Sequence, residues 1–198
     1  MNLTKENIEK VFEDKGYRFF TSPLSINVFG IRCQTGTDLF DDLICVAWYD
    51  KDNEFQLKTF EATTDPGQHW LKNPMRKAGC AIMVEGQYRG AYAIGRHGRS
   101  NGGKGYKAGR QQKAIPVYRD SNKDSNHDLD PSTIEDGIHY TNIHHGWSAS
   151  KVSRNSAGCQ VIKSKSKFEK VFMPLLKMST DKYGKTFTYT LLNARDFA

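Results

Sequence analysis

"DLICVAWYDKDNEFQLKTFEATTD", residues 42–65, decides the fold. Two runs rich in β-branched and aromatic residues flank residues 50–53, DKDN, whose Asp and Asn side chains favour a tight turn. The segment reads as a β-hairpin. Upstream, YRFF (17–20) and LSINVFGIRC (24–33) carry the same strand composition. Ahead of them, LTKENIEKVFEDKG (3–16) places Ile8, Val11 and Phe12 on one helical face, with Thr4 as N-cap and Gly16 as the stop.

Downstream, GCAIMVEGQYRGAYAIG (79–95) continues the strand pattern, with EGQ as a turn. Residues 95–113, GRHGRSNGGKGYKAGRQQK, read as a basic, glycine-rich, mobile loop. AIPVYRD (114–120) and GIHYTNIHHG (137–146) read as strands, KSKFEKVFMPLLKMSTDKYG (165–184) as a helix kinked at Pro174, and KTFTYTLL (185–192) as a final strand. The chain is thus mainly β, a β-rich α+β fold. Its 198 residues lie within the usual span of one domain, roughly 100–200, and no linker or repeat divides them. Residues 1–20 form an N-terminal helical segment of that domain.

Charge and cysteine usage narrow the classes of function. A formal charge of +7 suits a polyanionic partner without choosing among nucleic acid, acidic membrane and anionic wall polymer. No run approaches the ~18 apolar residues of a membrane span, and the first twenty residues lack an apolar secretion core. Cys33, Cys45, Cys80 and Cys159 are widely spaced without a CxxC, which argues against a disulfide framework or a zinc ribbon. Cys45 and Cys80 sit in apolar runs and read as buried small hydrophobes.

Several motif-like stretches are weak. GRSNGGKG (98–105) fits GxxxxGK, but Gly105 stands where a phosphate-binding loop needs Ser or Thr. In DSNKDSNHDLD (120–130), oxygen-bearing Asp120, Asn122, Asp124, Asn126, Asp128 and Asp130 alternate, a spacing compatible with Ca2+, yet Gly and Glu are missing at their required places. A solvated acidic turn is the plainer reading. His139, His144, His145 and Cys159 offer zinc-type ligands at a spacing that matches no standard site. His69, His97 and His127 read as surface histidines.

NIHHGWSASKVSRNSAGCQV (142–161) carries the strongest chemistry. A cysteine nucleophile needs a base or cation to lower its thiol pKa from about 8.5, donors for the oxyanion, and open space. His144 supplies a base at a strand end, Gly158 allows close approach so that the amides of 158–160 face the oxyanion, and Ser156 and Ala157 keep the sulfur uncrowded. Strand alternation sends His144 and His145 to opposite faces, so only one is needed as base. His144 is the expected one and His145 the alternative.

A strand ending in Ile-His, a short loop and Ser-Ala-Gly-Cys resemble the catalytic motif of the L,D-transpeptidase family, an Ile-His-Gly element followed by Ser-His-Gly-Cys. The resemblance covers mainly residues 137–162, and FQLKTFEATTDPG (55–67) is similar to the strand and turn that begin many such domains. It implies a β-sandwich or barrel with short flanking helices, Cys159 as nucleophile, His144 as base, and Ser156 and Gly158 shaping the oxyanion region. Ala157 replaces the motif's second histidine, His145 its glycine, and Val161 its arginine. The implied activity is a transpeptidase or peptidase acting on peptidoglycan stem peptides through a thioester, without a cofactor, in the manner of a phage lysin. Such a protein is made in the cytoplasm and meets the bacterial wall after lysis or virion delivery. Arg96, Arg99, Lys104 and Arg110 are the expected contacts to anionic wall. The alternative is a non-catalytic virion protein that binds wall or nucleic acid through loop 96–113; with Tyr106 alone to stack on bases, nucleic acid is the weaker partner.

Overall fold

A computed structural model describes residues 1–33, 35–98 and 103–198. Its main body is a closed barrel of eight strands, β1 (Ile26–Arg32), β2 (Asp42–Tyr49), β3 (Phe55–Thr63), β5 (Gly86–His97), β6 (Tyr106–Gln111), β9 (Ile143–His145), β10 (Gln160–Ile162) and β11 (Thr186–Asn193). Around the barrel the order is β1-β11-β5-β6-β9-β10-β3-β2. Among the described residues, only β1 with β11 and β9 with β10 pair parallel. Three further strands, β4 (Cys80–Met83), β7 (Ile115–Asp120) and β8 (Glu135–Gly137), form a separate small sheet. The architecture is therefore α+β, dominated by the barrel.

The 42–65 hairpin forms as its sequence predicts, with Asp50 Oδ1 accepting the backbone N–H groups of Asp52 and Glu54 in the turn. Strand β2 is apolar along nearly its whole length because both faces are covered. Ile44, Val46 and Trp48 enter the main core, whereas Cys45 and Ala47 pack with Ile8, Val11 and Phe12 of α1 (Lys5–Asp14) in a second core. Thr4 caps α1, its hydroxyl accepting from the Asn7 N–H. The helix lies over β1, β2 and the C-terminal end of β11, joined by Phe29, Ile31 and Leu192.

Four expectations change. YRFF is not a strand: Asn27 satisfies both the N–H and the carbonyl of Phe20 from its side chain, in place of a ladder. Most of the stretch 95–113 expected as a loop is paired strand, up to His97 and from Tyr106 to Gln111. GIHYTNIHHG splits into β8 and β9, broken where Tyr140 takes a positive φ of 59°. The helical segment runs through α3 (Lys165–Lys167), a π-helical turn (Phe168–Phe172) and α4 (Met173–Tyr183). Pro174 in the first turn of α4 lacks an N–H and crowds the preceding turn, which fits the wider π turn just before it. Phe168, Phe172, Met173 and Leu176 from this segment join the main core. Among the described residues no helix is long and apolar enough to cross a membrane.

Candidate functional site

Three chain segments meet at one end of β9. Parallel pairing of β9 with β10 sets Val161 opposite His144 and places Cys159 just ahead of the ladder. Antiparallel pairing of β5 with β6 sets His97 opposite Tyr106 at the end of that hairpin, and β6 in turn pairs with β9 through Gly109 and Ile143. His97, His144 and Cys159 consequently converge, with one ring nitrogen of each histidine and the sulfur all within 4.8 Å of one another.

His144 is buried, and its Nδ1–H donates to the His145 carbonyl at 3.0 Å, with the Tyr106 hydroxyl oxygen also 3.1 Å from Nδ1. A carbonyl can only accept, so the proton resides on Nδ1 and the lone pair on Nε2. Nε2 is thus the ring nitrogen left to accept. Burial, with the neighbouring His97 adding to it, holds its pKa down at about 3, so it is neutral in ordinary buffers. His97 stacks on it with centroids 4.1 Å apart, and its Nδ1 lies 3.2 Å from Asn142 Nδ2.

His145 faces the other way, as alternation predicts. It is fully buried, stacks on the Tyr106 ring at 4.3 Å and touches core Phe168 edge-on at 5.5 Å. Its Nε2 is buried without a hydrogen-bond partner among the described residues. The alternative base therefore sits in the core, away from the sulfur cluster.

The loop before Cys159 is held from several sides. Gly158 has φ 121°, and a Cβ there would run into the Ala81 carbonyl of β4, so only glycine lets the loop pass. Ser156 is buried, its hydroxyl donating to the Cys159 carbonyl at 2.8 Å and accepting from the Gly158 N–H at 3.1 Å. The Gln160 N–H is committed to the Asn142 carbonyl. Of the amides 158–160 expected to face an oxyanion, two are thus occupied, and the Cys159 N–H has no partner among the described residues. On the other side, the DPG turn (65–67) anchors the loop through the Gly67 N–H to the Ser156 carbonyl, and Trp70 Nε1 of α2 (Gln68–Lys72) reaches the Arg154 carbonyl.

Cys159 itself is half-buried, its thiol donating to the Tyr140 carbonyl at 3.4 Å. Burial pushes its pKa up to about 11, against a smaller opposing pull from the Asn142 backbone. This corrects the expectation of a lowered thiol pKa: without substrate, a neutral thiol faces a neutral imidazole, since among the described residues nothing cationic adjoins the sulfur.

Buried Gln111, at the end of β6, shapes the turn that leads into the site. Its Oε1 accepts from the N–H of His139 and both the N–H and hydroxyl of Thr141, while its Nε2 donates to the carbonyls of Lys113 and Gly137. Beside the cysteine loop lies a cleft of about 60 Å³ lined by Met75, Arg76, Gly79, Cys80, Ala81, Arg119, His139 and Ala157. Arg119 is fixed there, with Nε 2.8 Å from Glu135 Oε2 and Nη2 2.9 Å from His139 Nδ1. His139 accordingly belongs to this cleft wall and not to a ligand set with Cys159. Val161, in the place of the motif's arginine, is fully buried in the main ladder.

The basic residues of the β5–β6 hairpin divide. Arg96 spends its guanidinium on the carbonyls of Lys104 and Gly105, pinning the hairpin end. Lys104 is exposed, and Arg110 is half-buried opposite Ala93. Arg99 and part of the GxxxxGK-like stretch lie outside the described residues. Along 120–130, Asp124 accepts from the Asn126 N–H, Asp130 from the Ser132 N–H and Asp120 from the Asp128 N–H. The carboxylates are turned to their own backbone. Among the described residues, the convergent metal-type set is His97, His144 and Cys159.

Sequence reading found two members of that set and missed His97, whose polar, glycine-rich surroundings resemble any surface loop. Its only local signal is its place at the end of an alternating strand. No family model, curated protein or solved structure compared with this chain matches it.

Proposed function

We propose that this protein is a cysteine-dependent acyl-transfer enzyme of the L,D-transpeptidase kind, acting on peptidoglycan stem peptides. The observation that carries the reading is the apposition of Cys159 to His144, whose Nδ1–H is tied to a backbone carbonyl so that Nε2 is left to accept a proton. The thiol is neutral at rest, so its proton leaves as attack proceeds, with His144 acting as general base in the same step. Sulfur bonds to the carbonyl carbon of an amide, the oxyanion is met by the Cys159 N–H, and His144 returns the proton to the departing amine. The resulting thioester is resolved by water or by the amine of a second stem. Arg76 and Arg119 in the neighbouring cleft offer cationic ground for a stem's carboxylates.

Mass spectrometry of muropeptides from purified peptidoglycan, incubated with wild type and with Cys159→Ala, tests this. New peptide ends or cross-links made only by wild type are expected. Identical products across several wall chemistries would overturn the reading in favour of a binding role for the basic β5–β6 hairpin.

A further inference from the structure

We infer that His97, His144 and Cys159 form a binding site for a divalent transition metal of the zinc class, separate in outcome from acyl transfer. Two imidazoles and a thiol are the ligand types that zinc prefers. Their donor atoms lie within 4.8 Å of one another, whereas tetrahedral zinc, with bonds of about 2.0–2.3 Å, holds neighbouring donors about 3.5 Å apart. A contraction of about 1 Å completes the site.

The set is built to allow it. His144 is oriented by the bond from Nδ1–H to the His145 carbonyl, the outer contact that ligating histidines commonly make, and its free Nε2 is the ligating nitrogen. Cys159 precedes β10 in a loop fixed by Ser156, and its thiol holds the Tyr140 carbonyl by a long 3.4 Å contact that a metal can replace. His97 supplies the movement. It ends β5 beside Gly98, with φ 74°, is half-buried, and holds Asn142 by a single 3.2 Å contact, so its ring can fan away from His144 to meet the metal. Either nitrogen of His97 can serve: Nδ1 by leaving Asn142, or Nε2 by moving the ring proton to Nδ1.

Binding is balanced simply. The Cys159 S–H bond breaks, its proton passes to buffer, and a metal–sulfur bond forms, with no change of oxidation state. Three protein ligands leave a fourth position for water. A sulfur held this way is withheld from electrophiles, and, on the acyl-transfer reading, the metal-bound form is inactive; that last consequence alone rests on the reading.

Co2+ is the probe, titrated into chelator-treated full-length protein and followed by absorption, with Zn2+ as competitor. The expected result is one equivalent of Co2+, a near-ultraviolet thiolate-to-cobalt band, and displacement by Zn2+. Cys159→Ser loses the band, His97→Ala weakens Co2+ at least tenfold, and His69→Ala leaves both unchanged. Zn2+ slows alkylation of Cys159 by iodoacetamide at least tenfold in wild type. Absence of the band, its persistence in Cys159→Ser, or unaltered affinity in His97→Ala would overturn the inference. Circular dichroism of each variant excludes misfolding as the cause. Muropeptide turnover by the metal-free protein is scored separately, so failure of the metal site and failure of the acyl-transfer reading are told apart.

Discussion

His97 and His144 stack ring on ring, 4.1 Å between centroids and 17° from parallel, although they come from strands on either side of β6. The stack shields one face of the His144 ring and brings a second imidazole to the sulfur. It exists only because the β5–β6 hairpin and β9 share the barrel.

The two adjacent histidines have different surroundings, and substitution separates the roles proposed for them. His144→Gln is expected to abolish turnover while the fold persists. His145→Ala is expected to keep measurable turnover but to lower stability by about 2–4 kcal/mol, since it empties a fully buried position against Tyr106 and Phe168. Urea unfolding beside a muropeptide assay checks both, and the reverse assignment would mean that the core-facing ring is the base.

Cys159 should alkylate slowly at neutral pH. With its pKa raised to about 11, the thiolate fraction climbs about tenfold per pH unit from pH 7 to pH 10. Iodoacetamide rates measured across that range should rise without a plateau. A plateau near pH 7 would reveal a preformed thiolate and a different charge state for the site.

Ser156→Ala removes partners from both the Cys159 carbonyl and the Gly158 N–H, at a cost of about 1–3 kcal/mol. Gly158→Ala is more severe, because φ 121° and the Ala81 carbonyl both oppose a side chain; on the order of 3 kcal/mol or more is expected. Thermal melts and turnover should rank wild type, Ser156→Ala and Gly158→Ala in that order.

A buried carboxylate sets a pH dependence of stability. Burial, then the charge of Asp65, raises the Asp42 pKa from 3.8 to about 7, while N–H groups of Cys33 and Thr64 oppose the rise. The unfolded chain releases this proton near pH 4 and the folded chain keeps it until about pH 7. Between those values the folded state binds more protons, so the contribution falls as pH rises, by up to about 1.4 kcal/mol per pH unit. Denaturant midpoints measured from pH 4 to pH 7 should show this slope in wild type and a flatter one in Asp42→Asn.

Much of the framework was legible because its causes are local. The DKDN turn, the Thr4 cap and the strand-forming run of β2 depend on neighbours a few residues away, and so does the rule that sends His144 and His145 to opposite faces. Glycine at 158 signalled a close backbone approach for the same reason, and the Ala81 carbonyl is what approaches it. Composition could not reveal that β4 leaves the barrel for a second sheet, because the register that decides it is a competition among distant strands.

The sequence by itself determined a β-rich chain, the segments that bear Cys159 and the paired histidines, and that His144 and His145 face opposite ways, while the structure decided which of the two faces the sulfur. Tertiary structure alone decided that His97 joins them, that Gln111 breaks the 137–146 run into a turn, and that Arg119 lines the cleft beside Ala157. It also decided the charge states, since burial, which no residue shows in its own name, keeps the imidazole unprotonated and the thiol intact. Periodicity is written along the chain, whereas desolvation and convergence arise when strands far apart in sequence close around the same space.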